Sequence, residues 1–424
     1  MNDKHNSASN IFSYLVESEL NGLSPIQTIM KIAEPRNIID MGLHPENVIS
    51  FGGGWCNHKA PERLRSIYQQ IIDDINTFHK SGRYSPIKGD YLCCEQLCHF
   101  EKYMYHVADL AAENIIIGHS STQLFHDVLR VLQNPGEHVC VLDPTYANYH
   151  NAVTCALPKS DLLYVPALDV DSWTYLSDPE KSLDILQNYC RQGAKTFVIP
   201  VPDNPTSQIP PDSFIKAARE IMQEYHGFLI IDYAYKSLWF DDMPPCFSWS
   251  PNEYENLVTI HSNSKWLSSL GRRFGWIEAH PSTIKGLEKI IESSLLSSDT
   301  LHGMATTRFL EESIKDQTLK PYIDSIRELY KKTAQVMMNG IETYLGWDYL
   351  EPKGGLYTVC PTPNNKNPIT FVEELLKHTG VLLIPGIGFG PSMNKGLRIS
   401  YGPLCYDHDL IDKGLKKVGN YLKK

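Results

Sequence analysis

Lys265 lies between serines in the stretch from Ser262 to Gly275, SNSKWLSSLGRRFG, and two arginines, Arg272 and Arg273, follow it. A lysine amine attacks a carbonyl carbon only when unprotonated, so such chemistry asks for a site that lowers its pKa by nearby positive charge and desolvation. Asp232 closes the apolar run FLIID, where a carboxylate is costly to bury unless it is paired. Ser120, Ser121 and Thr122 follow another apolar run, NIIIG, and open the segment TQLFHDVLRVLQ. Small polar residues there expose backbone N–H groups to an anion, and a helix dipole adds to the attraction. Arg398, in LRIS, offers a planar guanidinium that fits a carboxylate through two parallel bonds. Each feature alone has an ordinary reading: a solvated loop lysine, an aspartate capping a turn, a Ser/Thr N-cap, a surface arginine on a strand. A site exists only if the fold brings them together.

The elements that could do so alternate. Short apolar runs end at Gly118, Asp143, Val201, Asp232, His261 and Glu278, with helical patterns between them, the signature of a mostly parallel sheet covered on both faces. Several runs end at a polar or glycine-containing loop, and in open α/β sheets ligands collect at such carboxyl ends. Leu124, Phe125, Val128, Leu129 and Leu132 form one stripe, so the helix after Ser120 is packed. Upstream, the spacing predicts a helix near Pro25 to Ala33, a strand-like VISFGGGWC, and a helix from Pro61 to Phe78. Gly52 to Gly54 allow close backbone approach or a bend. Beyond residue 310 the chain becomes charged and helical, then gives GGLYTVC, VLLIPG and LRISYG before a terminal helix.

A chain of 424 residues suits one large domain with a smaller companion, and 42% hydrophobic with 21% charged residues is ordinary for a globular enzyme. The net charge of -10 argues against nucleic acid or an anionic membrane surface as partner. No apolar run reaches transmembrane length, and MNDKHNSASN lacks the basic-then-apolar order of an export signal, so a cytoplasmic protein is expected. Of ten cysteines only Cys93, Cys94 and Cys98 cluster; with no second cluster to complete four ligands, no metal site is expected.

The same chain also carries Tyr84-Ser85-Pro86-Ile87-Lys88-Gly89, Pro144-Thr145-Tyr146, Asn204-Pro205-Thr206-Ser207 and Asp232-Tyr233-Ala234-Tyr235. With Lys265, Arg273 and Arg398 these strings resemble, in order and with similar gaps, the motifs of the fold-type I pyridoxal 5'-phosphate (PLP) enzymes, the aspartate aminotransferase superfamily. The resemblance covers nearly the whole chain. It implies an α/β fold: an arm and part of a small domain at 1–58, a large domain at 59–308 with a mostly parallel seven-stranded sheet between helices, and the rest of the smaller α/β domain at 309–424. It further implies that Lys265 forms a Schiff base with the PLP aldehyde and then serves as general base. Ser120, Ser121, Thr122, Ser262, Ser264 and Arg273 would hold the cofactor phosphate, and Tyr146 would stack on the ring. Asn204 and Tyr235 would bond its phenolic oxygen, and Asp232 its pyridine nitrogen, which keeps the ring an electron sink. Arg398, with Asn204 nearby, would take the substrate α-carboxylate. Tyr84 would reach the neighbouring subunit's phosphate across a homodimer interface.

The chain departs from the family pattern at three places. Trp55 stands just after the glycines where most relatives carry a smaller residue, and either touches substrate or fills a core corner. Cys93-Cys94 replace Leu-Arg, and Ser207 replaces a glycine. Transamination of an amino acid with a 2-oxo acid is the leading expectation. The alternative is a specialised biosynthetic enzyme performing elimination or replacement, decarboxylation or side-chain cyclisation. Because no arginine or lysine lies between Lys289 and Arg308, where aspartate aminotransferases select a second carboxylate, dicarboxylic amino acids are not expected as preferred substrates. Glu292 and Asp299 invite the opposite idea, a cationic side chain paired with a carboxylate.

Overall fold

In the computed structural model, which describes residues 25–423, seven strands form one central sheet: β1 (Ile115–Gly118), β2 (His138–Asp143), β3 (Leu162–Pro166), β4 (Ala194–Pro200), β5 (Phe228–Asp232), β6 (Leu257–Ser262) and β7 (Gly275–Ala279). Their order is β1-β7-β6-β5-β4-β2-β3, and only β7 runs antiparallel to its neighbours. Burial on both faces explains why most of these strands read as continuous apolar runs. Successive side chains point to opposite faces, so Leu229 and Ile231 join one core while Ile230, Val258 and Ile260 join the other. Helices Ser121–Leu132 and Pro281–Ser294 cover the second face, and Tyr91–Tyr105 and Asp212–Glu224 cover the first.

The fold is the expected α/β arrangement, with local differences. Strand β3 was not among the sequence candidates; it lies at the sheet edge, where only Val165 is buried, and it ends in a proline. The single helix expected from Pro61 to Phe78 is two, Glu62–Asp73 and Ile75–Ser81. Asp74 between them is extended, and its carboxylate accepts the Thr77 N–H at 2.6 Å, capping the second helix. The run VLLIPG also divides. Val381–Leu382 pairs in parallel with Ile49–Ser50, tying the two ends of the chain together, whereas Ile384–Pro385 joins Gly396–Ser400 and Tyr357–Pro361 in an antiparallel sheet. The stretch MNDKHNSASN and the rest of residues 1–24 lie outside the described residues. Among the described residues no helix is long and apolar enough to cross a membrane.

Beneath the sheet, on the face covered by Tyr91–Tyr105, sits a buried charge network absent from the sequence reading. Lys236 Nζ lies 2.5 Å from Glu101 Oε2, and His261 stands between Glu101 (3.5 Å) and Glu278 (3.2 Å). The Trp276 indole N–H donates to Glu278 at 2.9 Å, and the ammonium also faces the Tyr105 and Tyr233 rings at 4.2 and 4.5 Å. The ligand atoms of Glu101, His261 and Glu278 are close enough to grip a cation, but Lys236 already supplies positive charge there. Removing one partner of such a pair strands a buried charge. Lys236→Met is therefore expected to cost about 3–5 kcal/mol in urea unfolding, and the double variant Lys236→Met with Glu101→Gln should recover more than half of that loss.

Candidate active site

A cavity of about 1180 Å³ opens at the carboxyl ends of the sheet strands, walled on its other side by the Pro25–Asp40 region, Gly52 to Trp55 and the antiparallel sheet. Lys265, Asp232, Tyr146, Asn204, Tyr235, Ser121, Thr122, Ser262, Ser264, Arg273, Arg398 and Trp55 all line it. Residues scattered from position 55 to position 398 thus converge because the strand ends, not the sequence, set their distances.

Asp232 ends β5 and is buried. Its Oδ2 accepts the Tyr149 hydroxyl at 2.7 Å and its Oδ1 the Ala234 N–H at 2.9 Å, so among the described residues its hydrogen-bond partners are neutral. Burial pushes the carboxyl above the usual carboxylate range, while these two bonds and the fields of His261 and Lys265 pull it down. Tyr149 was not singled out by the sequence. Its signal is an aromatic three residues after Tyr146, and the two rings meet edge to face at 5.5 Å.

Lys265 follows β6, and its Nζ donates to Gly54 O at 2.5 Å, 5.3 Å from the centre of the Tyr235 ring. The Tyr235 hydroxyl is 2.7 Å from that of Tyr357, a second residue the sequence reading missed. Tyr357 and Phe389 also flank the Arg398 guanidinium, at 4.6 and 4.9 Å. Arg398 Nη1 donates to Asn204 Oδ1 at 3.1 Å and Nη2 to Gly52 O at 2.9 Å, leaving its buried Nε without a partner among the described residues. Asn204 accepts through its oxygen, so its amide NH2 remains the donor end.

At the other end of the cavity the helix Ser121–Leu132 begins. Ser120, expected among the anion-binding residues, does not line the cavity; it is the N-cap, its hydroxyl accepting the Gln123 N–H at 3.2 Å. Gly275 shapes the same corner, since a Cβ there would lie 2.7 Å from His261 O and 3.0 Å from Ser121 N. Ser262 and Ser264 are bonded to each other at 2.8 Å, and Arg273, in the left-handed region at φ 50°, donates to Leu270 O at 2.6 Å. Bare backbone, hydroxyls and a guanidinium at a helix N-terminus form a cradle suited to phosphate.

Other expectations resolve differently. Trp55 is not a core filler, being 49% exposed at the cavity. Tyr84 is exposed and outside the cavity of its own chain. Glu292 pairs with Lys289 at 3.4 Å on its own helix, and Asp299 caps the helix Thr300–Lys315 by accepting the His302 N–H at 2.7 Å; neither lines the cavity. Cys93 and Cys94 are buried thiols whose Sγ atoms face Gly303 O and Lys88 O, and burial pushes both up to about 12, so they stay protonated.

Ser207 sits at φ 55°, which favours glycine, and its Oγ accepts the Tyr357 N–H at 3.0 Å. Opposite it, Gly355 has φ 66°, and a Cβ there would lie 2.8 Å from Ser207 Oγ. The turn before Ser207 is held by Asp203, whose Oδ2 accepts the Thr206 N–H and hydroxyl at 3.1 and 2.5 Å.

A family model described as aminotransferase class I and II matches residues 46–415. The chain is 22% identical over 359 residues to LL-diaminopimelate aminotransferase 2 of a Nostoc species, covering 84% of this chain and 86% of that one. It is 24% identical to an aspartate aminotransferase of Pyrococcus horikoshii, covering 88% and 91%. A mutant aspartate aminotransferase structure from Thermus thermophilus superposes with a TM-score of 0.83 at 20% identity, covering 96% of this chain and 99% of that one.

Burial pushes the Asp203 carboxyl up to about 7, against the pull of its Thr206 bonds. A carboxyl whose pKa is higher folded than unfolded binds its proton more tightly in the native state, so its contribution to stability falls as pH rises from about 4 to about 7. Asp203→Asn, which does not titrate, should gain urea midpoint relative to the wild type across that window and show a constant difference above pH 8.

Proposed function

Because the chain belongs to the class I and II aminotransferases, a family of PLP-dependent enzymes, we propose that it moves the amino group of an L-amino acid to a 2-oxo acid, with Lys265 as covalent anchor and proton-transferring base. The observation that carries this reading is Asp232, a buried carboxylate with neutral partners at the floor of the cavity that holds Lys265 and Arg398. A protonated pyridine ring supplies the counter-charge such a group calls for. The cradle of Ser121, Thr122, Gly275 and Arg273 fits the phosphate of the same molecule.

When bound, the cofactor supplies an electron-withdrawing ring that accepts the electron pair left at the substrate α-carbon. Everything else falls to the chain. Asp232 would hold the proton on the ring nitrogen, and the Tyr149 hydroxyl orients the carboxylate and favours its ionised form. Tyr146 would pack on the ring, and the Asn204 amide and the Tyr235 hydroxyl, which line the same cavity, would donate to its phenolic oxygen. Arg398, kept flat between Tyr357 and Phe389, takes the α-carboxylate and fixes the amino acid with its α-proton toward Lys265. Lys265 Nζ, which would anchor the cofactor before substrate arrives, would then be the base placed to take that proton and to return it. Ser262 and Ser264 flank the cradle.

A second copy of the chain belongs to this reading. Ile75, Phe78, Tyr84, Tyr91 and Leu92 are large, exposed and close in sequence, an apolar surface suited to a partner, and Tyr84 would extend from it toward the neighbouring cradle. The N-terminal part, 59–308 and 309–424 act in this reading as arm, cofactor-bearing domain and companion domain.

The purified protein should show the visible band of bound PLP, and a reactive L-amino acid added without any 2-oxo acid should bleach it while releasing the matching 2-oxo acid. Product formed with the band intact would favour lyase or replacement chemistry instead. Asp232→Ala should weaken cofactor retention and turnover together, by about 3–5 kcal/mol of lost pairing. In sedimentation velocity, Leu92→Glu is expected to shift a dimer to monomer and to lower activity with it.

A further inference from the structure

We propose that the substrate carries a large, uncharged, apolar side chain, aromatic or branched aliphatic, seated against Trp55; the inference rests on the aminotransferase reading above. Both groups that would hold the amino acid are anchored on one short piece of backbone. Arg398 Nη2 donates to Gly52 O at 2.9 Å, and Lys265 Nζ donates to Gly54 O at 2.5 Å. An α-carbon carries an amine, a carboxylate, a side chain and a hydrogen. With the carboxylate at Arg398 and the amine beside Lys265, two of these substituents are fixed along Gly52 to Gly54. The residue that continues this backbone in the cavity lining is Trp55, so an indole borders the space left for the side chain.

The tryptophan is built as a wall. A Cβ at Gly53 would lie 2.6 Å from the indole ring and 2.7 Å from Pro403, so the ring rests on bare backbone that no other residue type would leave free. Trp55 nonetheless remains 49% exposed, and Met30, 65% exposed, lines the same cavity with Ile29 and Ile38. A flat aromatic and a flexible thioether left facing a cavity are the surfaces that gain most from burying an apolar group. Lys31 and Glu34 are the charges this segment adds to the lining. Being of opposite sign and both exposed, they give a charged side chain of either sign one opponent as well as one partner. Asp299, which could have favoured a cationic substrate, is engaged in capping its own helix.

The test uses the cofactor-loaded protein and two dead-end ligands that lack an amine, 3-phenylpropionate and succinate, with binding followed by calorimetry. Phenylpropionate is expected to bind at least tenfold more tightly than succinate. Trp55→Ala should erase that preference, whereas Trp55→Phe, which keeps a ring, should retain most of it. Succinate binding equally well or better overturns the inference, as does a folded Trp55→Ala protein with undiminished preference. In single-turnover bleaching, phenylalanine and leucine should react at least tenfold faster than aspartate and lysine. Faster reaction of aspartate or lysine overturns the apolar assignment alone, while failure of every amino acid to bleach a bound cofactor overturns the aminotransferase reading and this inference with it.

Discussion

A carboxylate buried at the end of a strand, with neutral hydrogen-bond partners among the described residues, is the constraint from which the site follows. Asp232 holds that position because β5 is the middle strand of seven and ends inside the molecule, at the floor of the cavity, where little of the carboxylate is exposed. Two hydrogen bonds orient it but do not neutralise it. In the proposed reading the ring nitrogen of the cofactor completes it, and the cradle at the far end of the cavity takes the phosphate. On the opposite face of the sheet a second set of buried charges, Glu101, Lys236, His261 and Glu278, finds charges of opposite sign within the set, with Glu101 Oε1 left without a hydrogen bond among the described residues. The contrast between a closed network and an open one, a single sheet apart, separates structural electrostatics from chemistry.

Gly52 to Gly54 supply the other half of the design. Their carbonyls receive the terminal groups of a lysine after β6 and an arginine 133 positions further along, so two distant segments are referenced to the same backbone. The parallel pairing of Ile49–Ser50 with Val381–Leu382 fixes where that backbone starts. Packing at the chain ends therefore reaches the reacting groups through a few residues, without passing through the central sheet.

Much of this was legible in the sequence, for a physical reason. Asp232 closes an apolar run, where a carboxylate demands a partner, and Lys265, Asn204 and Arg398 stand in short motifs whose order along the chain resembles that of the family. Tyr149 and Tyr357 could not be read that way, because an aromatic is at home in any core and their roles lie in contacts across the fold; the hydroxyl that Tyr357 meets is 122 positions away. The charge network was hidden for the same reason, Glu101 and Lys236 being 135 positions apart. Where expectation and structure parted, local chemistry had decided. Asp74 and Asp299 are each followed by a helix, and capping claimed their carboxylates. Ser120 spends its hydroxyl on an N-cap in the same way, and β3 escaped notice because an edge strand buries too little.

Ser207 and Gly355 carry a consequence of another kind. The serine occupies a left-handed position and uses its hydroxyl to hold Tyr357, while the glycine opposite gives up the room that hydroxyl fills. The two positions share space for one side chain: a Cβ at 355 would carry a left-handed φ of its own and crowd the serine hydroxyl, and turning that hydroxyl away would give up its bond to the Tyr357 N–H.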